Sequence, residues 1–362
     1  MPPSRSKPRP SDVAADTKRN FIPMVKAQYG EIFPPFSWLY RQPSNLPIQR
    51  KTPSVRPPQF IFEAADPVTR AITYGHAESQ TSEGAGGPRI RLPFICAANE
   101  RRPGGDWETA CSGYEERLCR RSNLSATLAT PWPESGLGSY YPLPSDGVVL
   151  SEHVVVCRGA HDRYEKLDSW FDLPVVSVPP TRWPKLKEFG TKYSFSQERD
   201  MIKDQIRGAL RICLYNNYDR VVIGDFSLGN NHRNPPQEMA EMWRDIFLFD
   251  PEIRGQFAYV VFAFDDPHQS TSQLILSELL KKELRSSDGG GGGGGSSSGR
   301  SKHASSSSSS SASSAETVSY LQHQLTVCPT DMNIFLATFD SDEITRVLSQ
   351  PDPRYALGMI TT

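Results

Sequence analysis

Short apolar runs alternate with helical patterns from about residue 88 onward, and this alternation limits the possible folds more than any other feature. Four runs are nearly continuous in apolar residues: RIRLPFICAA (89–98), LPVVSV (173–178), RVVIGDF (220–226) and FAYVVFAF (257–264). Such runs are typical of strands that are covered on both faces. GVVL (147–150) and HVVVCRG (153–159) predict two more strands. The stretches between the runs predict helices, one of which begins at a capping box formed by Ser194 and Gln197. We therefore predict an α/β fold, a three-layer α/β/α sandwich with a mixed, largely parallel sheet.

Composition divides the chain into four segments. Residues 1–55 are basic and rich in proline, with one predicted helix at 15–30, and should form an N-terminal arm. Residues 56–285 carry the strand and helix pattern and should form the main domain. Residues 286–315 are almost entirely Gly and Ser, which cannot offset the entropy of ordering, so a disordered insert is predicted. Residues 316–362 regain an apolar pattern and should contain one or two helices that dock on the domain.

The charge balance and the cysteines exclude several classes of protein. The 40 basic and 41 acidic residues give a net charge of -1, so no overall field favours nucleic acid or a membrane surface. We therefore predict no direct binding to either, and a monomer. No secretory signal and no apolar run of about 20 residues is evident, which favours a cytoplasmic or nuclear location. The six cysteines form no C-x-x-C pair and are expected to be reduced.

Two glycine-bearing loops follow predicted strands and are the first candidates for a binding site. CAANERRPGGDW (96–107) and IGDFSLGNN (223–231) both lie where an open α/β sheet binds its ligand, beyond the carboxyl ends of the strands. Glycines there allow backbone N–H groups to approach an anion closely, for example a diphosphate. Neither loop matches a nucleotide-binding fingerprint, and ordinary turns remain an alternative. His153, His161 and Asp162 are close in sequence but lack the spacing of metal ligands, so no metal site is expected.

Two adjacent glutamates, Glu115 and Glu116, follow the first glycine loop and allow two interpretations. In the structural one, Ser112 and Glu115 form a helix capping box and Glu116 pairs with Arg120 on an exposed face. The nearby arginines 117, 120 and 121 would then form a solvated surface. In the catalytic one, the two carboxylates point about 100° apart on a helix. One would hold a ligand hydroxyl while the other meets a leaving oxygen.

Taken together, these segments resemble the microbial-type poly(ADP-ribose) glycohydrolases, a branch of the macrodomain superfamily. The resemblance spans roughly residues 15–285 and depends on the order and spacing of FICAANERRPGGDW, YEERLCRRSNLSATL and VVIGDFSLGNNHRNPP. It implies a macrodomain-like sandwich and hydrolysis of ribose O-glycosidic bonds in poly(ADP-ribose) or ADP-ribosylated proteins. It implies no cofactor and no metal.

The resemblance also implies roles for individual residues. Glu116 matches the catalytic acid/base, and Glu115 matches the residue that holds the reacting ribose. The remaining matched or neighbouring positions are the predicted ligand-binding residues: Asn99, Gly104, Gly105, Asp106, Tyr114, Gly224, Phe226, Ser227, Gly229, Asn230 and Asn231.

Four of these positions depart from the family pattern. Asp106 and Ser227 stand where the family has glycines, Tyr114 stands where it has the glutamine before the two glutamates, and Asn231 replaces an aromatic residue. Three hypotheses follow. The chain is a glycohydrolase; or it is a non-catalytic ADP-ribose reader or pseudoenzyme; or it is a structural partner with an inactive pocket.

Overall fold

A computed structural model describes residues 8–49, 56–84, 90–109, 111, 113–288 and 308–349, and within them the strands form one seven-stranded sheet and one small hairpin. The strands are β1 Trp38–Tyr40, β2 Gln59–Glu63, β3 Phe94–Ala97, β4 Val148–Arg158, β5 Lys166–Val178, β6 Leu186–Lys187, β7 Lys192–Tyr193, β8 Arg220–Ile223 and β9 Tyr259–Ala263. The sheet order is β1-β4-β5-β3-β8-β9-β2, and β6 pairs with β7. The pairs from β5 to β2 are parallel, whereas β1–β4 and β4–β5 are antiparallel. The predicted mixed, largely parallel sheet is confirmed.

The helices of the described residues are α1 Pro10–Asp16, α2 Ile22–Tyr29, α3 Pro67–Gly84, α4 Tyr114–Arg121, α5 Leu124–Ala129, α6 Ser196–Tyr215, α7 Pro236–Phe249, α8 Thr271–Asp288, α9 Ser308–Val327, α10 Asp331–Thr338 and α11 Ser341–Ser349. The predicted capping box at Ser194 is wrong. Helix α6 begins at Ser196 after Phe195 and has no side-chain cap, because the Ser194 N–H donates to Lys185 O at 2.8 Å beside the β6–β7 hairpin.

Alternating residues of the central strands enter two separate cores, and this produces three layers. On one face Ile95, Val176 and Ile223 pack with α6 and α7. On the other face Phe94, Cys96 and neighbouring valines pack with α3, α4 and α5. Both faces of the sheet are therefore covered, as the continuous apolar runs predicted. The two predicted strands at 147–150 and 153–159 form the single strand β4, which has a register shift between Ser151 and Val154.

The described N-terminal residues 8–49 pack against α4 and β4. A π-helical turn at Thr17–Phe21 joins α1 to α2. Pro23, the second residue of α2, has no N–H to donate to a regular helix. Thr17 Oγ1 donates to Arg120 O at 2.7 Å, so this helical segment touches α4. Strand β1 extends the sheet by pairing with β4.

The predicted Gly/Ser insert is mostly outside the described residues, since α8 ends at Asp288 and α9 begins at Ser308. After α9, α10 packs against α7 and β9 through Ile334, Phe335 and Phe339. The domain boundaries inferred from composition stay predictions. No helix in the described ranges is long and apolar enough to cross a membrane.

Candidate active site

A cavity of about 310 Å³ opens at the carboxyl ends of β3, β8 and β9. Asn99 reaches it from the loop after β3, Asp225 from the loop after β8, and Asp265 from the loop after β9. Both glutamates of α4 line the same cavity. The position agrees with the rule that open α/β sheets bind ligands beyond the carboxyl ends of their strands.

Glu115 is buried at the base of this cavity, with 2% of its surface exposed. Its Oε2 accepts a hydrogen bond from the Asn99 N–H at 2.8 Å, and its Oε1 is buried without a hydrogen-bond partner among the described residues. Burial raises the pKa of Glu115 well above its usual range, and the nearby Glu116 carboxylate adds to the rise against the effect of the Asn99 N–H. The shift favours the neutral carboxyl group, the form that can donate a hydrogen bond.

The Glu116 carboxylate is held between two glycines. A β-carbon added at Gly105 would overlap Glu116 Oε1, and one added at Gly113 would overlap Oε2. Glu116 is 9% exposed, and the Cys111 Sγ lies 3.9 Å from its Oε1. An added β-carbon at Gly105 would also lie 3.1 Å from Asn99 Nδ2, which places the Asn99 amide and the Glu116 carboxylate on the same side of the loop.

The exposed Glu116–Arg120 pair of the structural interpretation is wrong, whereas its capping box at Ser112 lies outside the described residues. Helix α4 begins after Gly113 with no side-chain cap, and Glu115 bonds to Asn99 instead of the start of its own helix. Arg120 is 1% exposed and is not available for a surface pair with Glu116. The sequence pattern of a helix start was correct, but the carboxylates are buried because Asn99, Gly105 and Gly113 lie against them at this end of the helix.

Arg120 fixes the first glycine loop to α4. Its Nε donates to Trp107 O at 2.8 Å, and its Nη2 donates to Thr109 O at 2.7 Å and Cys111 O at 2.6 Å. Gly104 and Gly105 have φ values of 74° and 55°, a region that favours glycine. One guanidinium thus binds three carbonyls of the loop whose glycines surround Glu116.

The prediction that the three arginines form a solvated face is also wrong. Arg121 is 3% exposed, and its Nη1 lies 2.8 Å from Asp66 Oδ1. Arg117 lines the cavity and its Nη1 lies 2.8 Å from Asp265 Oδ2. Helical spacing does scatter the three side chains around the axis, but each meets a different partner: the first glycine loop for Arg120, Asp66 for Arg121 and Asp265 for Arg117.

Asp106 and Tyr114, two departures from the family pattern, have defined partners. Asp106 lines the cavity and forms an ion pair with Arg102, so its charge is partly compensated. The Tyr114 ring packs against Phe94 at 5.6 Å, and its hydroxyl lies 3.5 Å from Asp66 Oδ2. The Tyr114 hydroxyl therefore points to Asp66.

In the second glycine loop, Asp225, Gly229, Asn230 and Asn231 line the cavity. Gly224 lies beside Phe94 and Pro67, which an added β-carbon would meet at 3.4 to 3.5 Å. Phe226 packs in the core against Trp243 at 5.9 Å. Ser227 is fully buried and its Oγ accepts from Asn234 Nδ2 at 2.6 Å. The side chains of Phe226 and Ser227 are thus directed away from the cavity. A role for them in binding depends on their backbone and stays a prediction.

Carboxylates outnumber cations in the described lining of the cavity. Besides the two glutamates, the acidic side chains are Asp106, Asp225, Asp265 and Asp266, and the arginines are Arg117 and Arg182. Burial lowers the pKa of His232 to about 4, so this residue is uncharged at neutral pH. Burial raises the pKa of Asp225 to about 6, with the Arg117 guanidinium opposing the rise.

Sequence reasoning did not find Asp225, Asp265, Arg117 or Gln269 as lining residues. For the first two a signal was present, since Asp225 follows the run RVVIG and Asp265 follows FAYVVFAF directly. The same rule that selected Asn99 applies to both.

Asp66, His161 and Asp265 each place a ligand atom within 4.8 Å of the others. Arg121 pairs with Asp66 and Arg117 pairs with Asp265, so both carboxylates of this group already bind a guanidinium. His153, the other histidine considered from sequence, lies on β4 and its Nδ1 is 3.1 Å from Asp172 Oδ2.

Fold and cavity together define the class, a macrodomain-like α/β/α sandwich with an acidic cleft at the ends of its parallel strands. Residues 47–159 match the model of the microbial-type PARG (poly(ADP-ribose) glycohydrolase) catalytic domain. This segment contains the first glycine loop and both glutamates. No curated protein shows a significant match.

Solved structures of poly(ADP-ribose) glycohydrolases share the fold. The enzyme from Thermomonospora curvata is 20% identical, with a TM-score of 0.52, over 74% of this chain and 98% of that one. A variant of the Deinococcus radiodurans enzyme in complex with ADP-ribose is 19% identical, with a TM-score of 0.51, over 67% of this chain and 92% of that one. The T. curvata enzyme bound to the inhibitor ADP-HPD is 18% identical, with a TM-score of 0.51, over 75% and 98%. The resemblance inferred from sequence and the macrodomain-like fold are confirmed.

Proposed function

We propose that this protein is a poly(ADP-ribose) glycohydrolase that cleaves ribose O-glycosidic bonds by glutamate general acid/base catalysis. The observation that carries the proposal is the Glu116 carboxylate, held between Gly105 and Gly113 at the cavity beside Asn99. A matched family segment at residues 47–159 supports it, as do solved glycohydrolases of the same fold, one of them in complex with ADP-ribose.

In the proposed reaction, Glu116 gives its proton to the departing ribose oxygen as the bond between that oxygen and the anomeric carbon breaks. The sugar passes through an oxocarbenium-like state. The Glu116 carboxylate then takes a proton from water as the water oxygen bonds to the anomeric carbon, which restores the acid. No external oxidant or reductant is needed.

Glu115 and Asn99 would hold the reacting ribose. Burial raises the pKa of Glu115, which favours its neutral carboxyl group, and a neutral carboxyl group can donate a hydrogen bond to a ribose hydroxyl. The Asn99 N–H fixes the Glu115 carboxyl at 2.8 Å. The two adjacent glutamates then have different protonation roles, which two equally exposed carboxylates would not have.

The diphosphate would lie along the two glycine loops. Arg117 and Arg182 are the cations that the described lining offers it, and the Arg102 pair reduces the repulsion from Asp106. The remaining acidic side chains oppose a diphosphate, so we expect weak affinity for free ADP-ribose.

A non-catalytic ADP-ribose reader is the second candidate, favoured by Tyr114. The Tyr114 hydroxyl faces Asp66, so Tyr114 donates no side-chain hydrogen bond to either glutamate. Incubating purified protein with poly(ADP-ribose), with calorimetry on ADP-ribose in parallel, separates the two. Release of ADP-ribose supports the hydrolase, binding without release supports the reader, and neither binding nor release contradicts both.

A further inference from the structure

The C-terminal segment that follows the Gly/Ser-rich stretch reaches the second glycine loop through one buried carboxylate. Asp331, the first residue of α10, has 0% of its surface exposed. Its Oδ1 accepts the Thr271 N–H at 2.8 Å, and its Oδ2 accepts the Thr271 hydroxyl at 2.6 Å and Gln269 Nε2 at 2.9 Å. A buried carboxylate needs such donors, and all three come from residues 269–271 at the start of α8.

Thr271 connects Asp331 to the second glycine loop by hydrogen bonds. Its hydroxyl donates to Asp331 and accepts the Gly229 N–H at 2.7 Å, so its single proton and one of its lone pairs are both used. Gly229 has a φ of 72°, and an added β-carbon there would lie 2.8 Å from Gln269 Oε1. Gly229 and Gln269 both line the cavity.

The rest of α10 holds Asp331 in place. Phe335 packs against Phe262 and Phe264 of the β9 region, each with ring centroids 5.4 Å apart, and Phe339 packs against Phe60 at 4.6 Å. Two backbone contacts flank the carboxylate, since Asp331 N–H donates to Gln269 O at 2.8 Å and Ser270 Oγ donates to Pro329 O at 2.8 Å. The position of Asp331 is therefore set by the core of the domain.

We propose that Asp331 is a positioning residue for the second glycine loop, acting through Thr271, and that residues 328–339 are part of the functional site. The inference rests on the proposed function for the identity of the ligand, which we take to be a diphosphate-containing ADP-ribosyl compound. Because the Gly229 N–H is committed to Thr271, Asp331 acts by fixing the shape of the loop and the orientation of Gln269. It does not bind the ligand.

Two pairs of variants test this in the full-length protein. Thr271→Val removes the hydroxyl at nearly constant shape, whereas Thr271→Ser keeps it. Asp331→Ala removes every acceptor, whereas Asp331→Asn keeps one. Asp342, exposed on α11, supplies the control variant Asp342→Ala. The first readout is amide hydrogen exchange without ligand, in the peptide that contains Gly229, with the β4 peptide around Val155 as an internal check on folding.

We expect exchange near Gly229 to be about tenfold faster in Thr271→Val, which loses the acceptor of the Gly229 N–H, and in Asp331→Ala, which loses the acceptor that orients Thr271. Thr271→Ser and Asp342→Ala should match the wild type, and Asp331→Asn should lie between. The β4 peptide should be unchanged in all of them. Unchanged exchange near Gly229 in both Thr271→Val and Asp331→Ala would overturn the positioning role, whatever the ligand is.

The second readout is binding and turnover. We expect Kd for ADP-ribose and KM for poly(ADP-ribose) to rise about tenfold in Thr271→Val and Asp331→Ala. We expect kcat to fall less than threefold, because Glu116 lies on α4 beside the first glycine loop. A fall in kcat at constant KM would contradict the assignment to the binding loop. If the wild type neither binds nor cleaves these compounds, the proposed function fails, and the exchange experiment still decides the positioning role.

Discussion

The Glu116 carboxylate occupies the space that a side chain at position 113 would fill. A β-carbon added at Gly113 would overlap Glu116 Oε2 and approach its Cδ to 2.8 Å. The backbone of Gly113, with φ -61° and ψ 160°, is one that any residue adopts. A side chain at this position would therefore displace the Glu116 carboxylate, although the chain conformation itself suits any residue.

A first prediction follows for Gly113→Ala. The added methyl group should displace the Glu116 carboxylate by about 1 Å and lower kcat for ADP-ribose release by about 100-fold, with little change in the free energy of unfolding. Release from poly(ADP-ribose) and thermal unfolding would be measured together. Gly138→Ala is the matched control, because no heavy atom lies within 4 Å of an added β-carbon there. Full activity of Gly113→Ala would show that Glu116 is not held in a catalytic position.

Arg120→Met should destabilise the protein. The substitution leaves three carbonyls of the glycine loop without their buried donor, for which we expect a loss of about 2 to 5 kcal/mol in the free energy of unfolding. Urea denaturation measures it. Arg101→Met, at a side chain that is 84% exposed, should change the same quantity by less than about 0.5 kcal/mol. Equal effects of the two substitutions would mean that Arg120 does not hold the loop.

The stability of the protein should fall as pH rises through 6 because of Asp225. Its pKa is raised from 3.8 to about 6 by burial, so the folded state binds a proton more tightly than the unfolded state. The stabilisation is fully present below pH 3.8 and is lost as pH rises through about 6, and it amounts to at most about 3 kcal/mol. Asp225→Asn should remove this decline. Denaturation curves for both proteins between pH 4 and pH 8 measure it, and parallel curves would contradict the prediction.

The affinity for ADP-ribose should rise as pH falls through the same range. Protonation of Asp225 removes one of the negative charges that face a diphosphate in the cavity, and we expect Kd to fall about three- to tenfold between pH 7 and pH 5. Calorimetry at several pH values measures the change. Asp225→Asn should bind with less pH dependence. Asp162→Asn, at an exposed carboxylate with 63% of its side chain accessible, should behave as the wild type. An affinity that falls towards low pH would exclude this role of Asp225.

Sequence predicted the sheet well because its strands are buried on both faces. Continuous apolar runs such as residues 173–178 are typical of strands in a sheet that is covered on both faces. The loops that carry Asn99 and Gly229 could then be placed beyond the carboxyl ends of two of those strands. The single strand β4 was divided in two because Ser151, Glu152 and His153 interrupt the apolar run, although the strand continues through them with a register shift.

Burial of charged residues could not be predicted from sequence. The spacing of Arg117, Arg120 and Arg121 is that of an exposed helix, and their tertiary contacts with the first glycine loop, Asp66 and Asp265 have no signal in that spacing. The contact between Asp331 and Thr271 joins residues separated by 60 positions and by the Gly/Ser-rich stretch. No local sequence pattern predicts a contact between residues so far apart in the chain. Sequence therefore located the glutamates but not the groups that hold them.

The two glutamates provide the most direct test of the proposed mechanism. Release of ADP-ribose from poly(ADP-ribose) would be measured for the wild type, Glu116→Gln and Glu115→Gln, with calorimetry on ADP-ribose for all three. We expect Glu116→Gln to lose at least about 100-fold in kcat and to keep a Kd within about threefold of the wild type, because glutamine fits the space between Gly105 and Gly113. Glu115→Gln should lose both affinity and rate. Wild-type turnover by Glu116→Gln would contradict the central claim that Glu116 is the acid and base of this site.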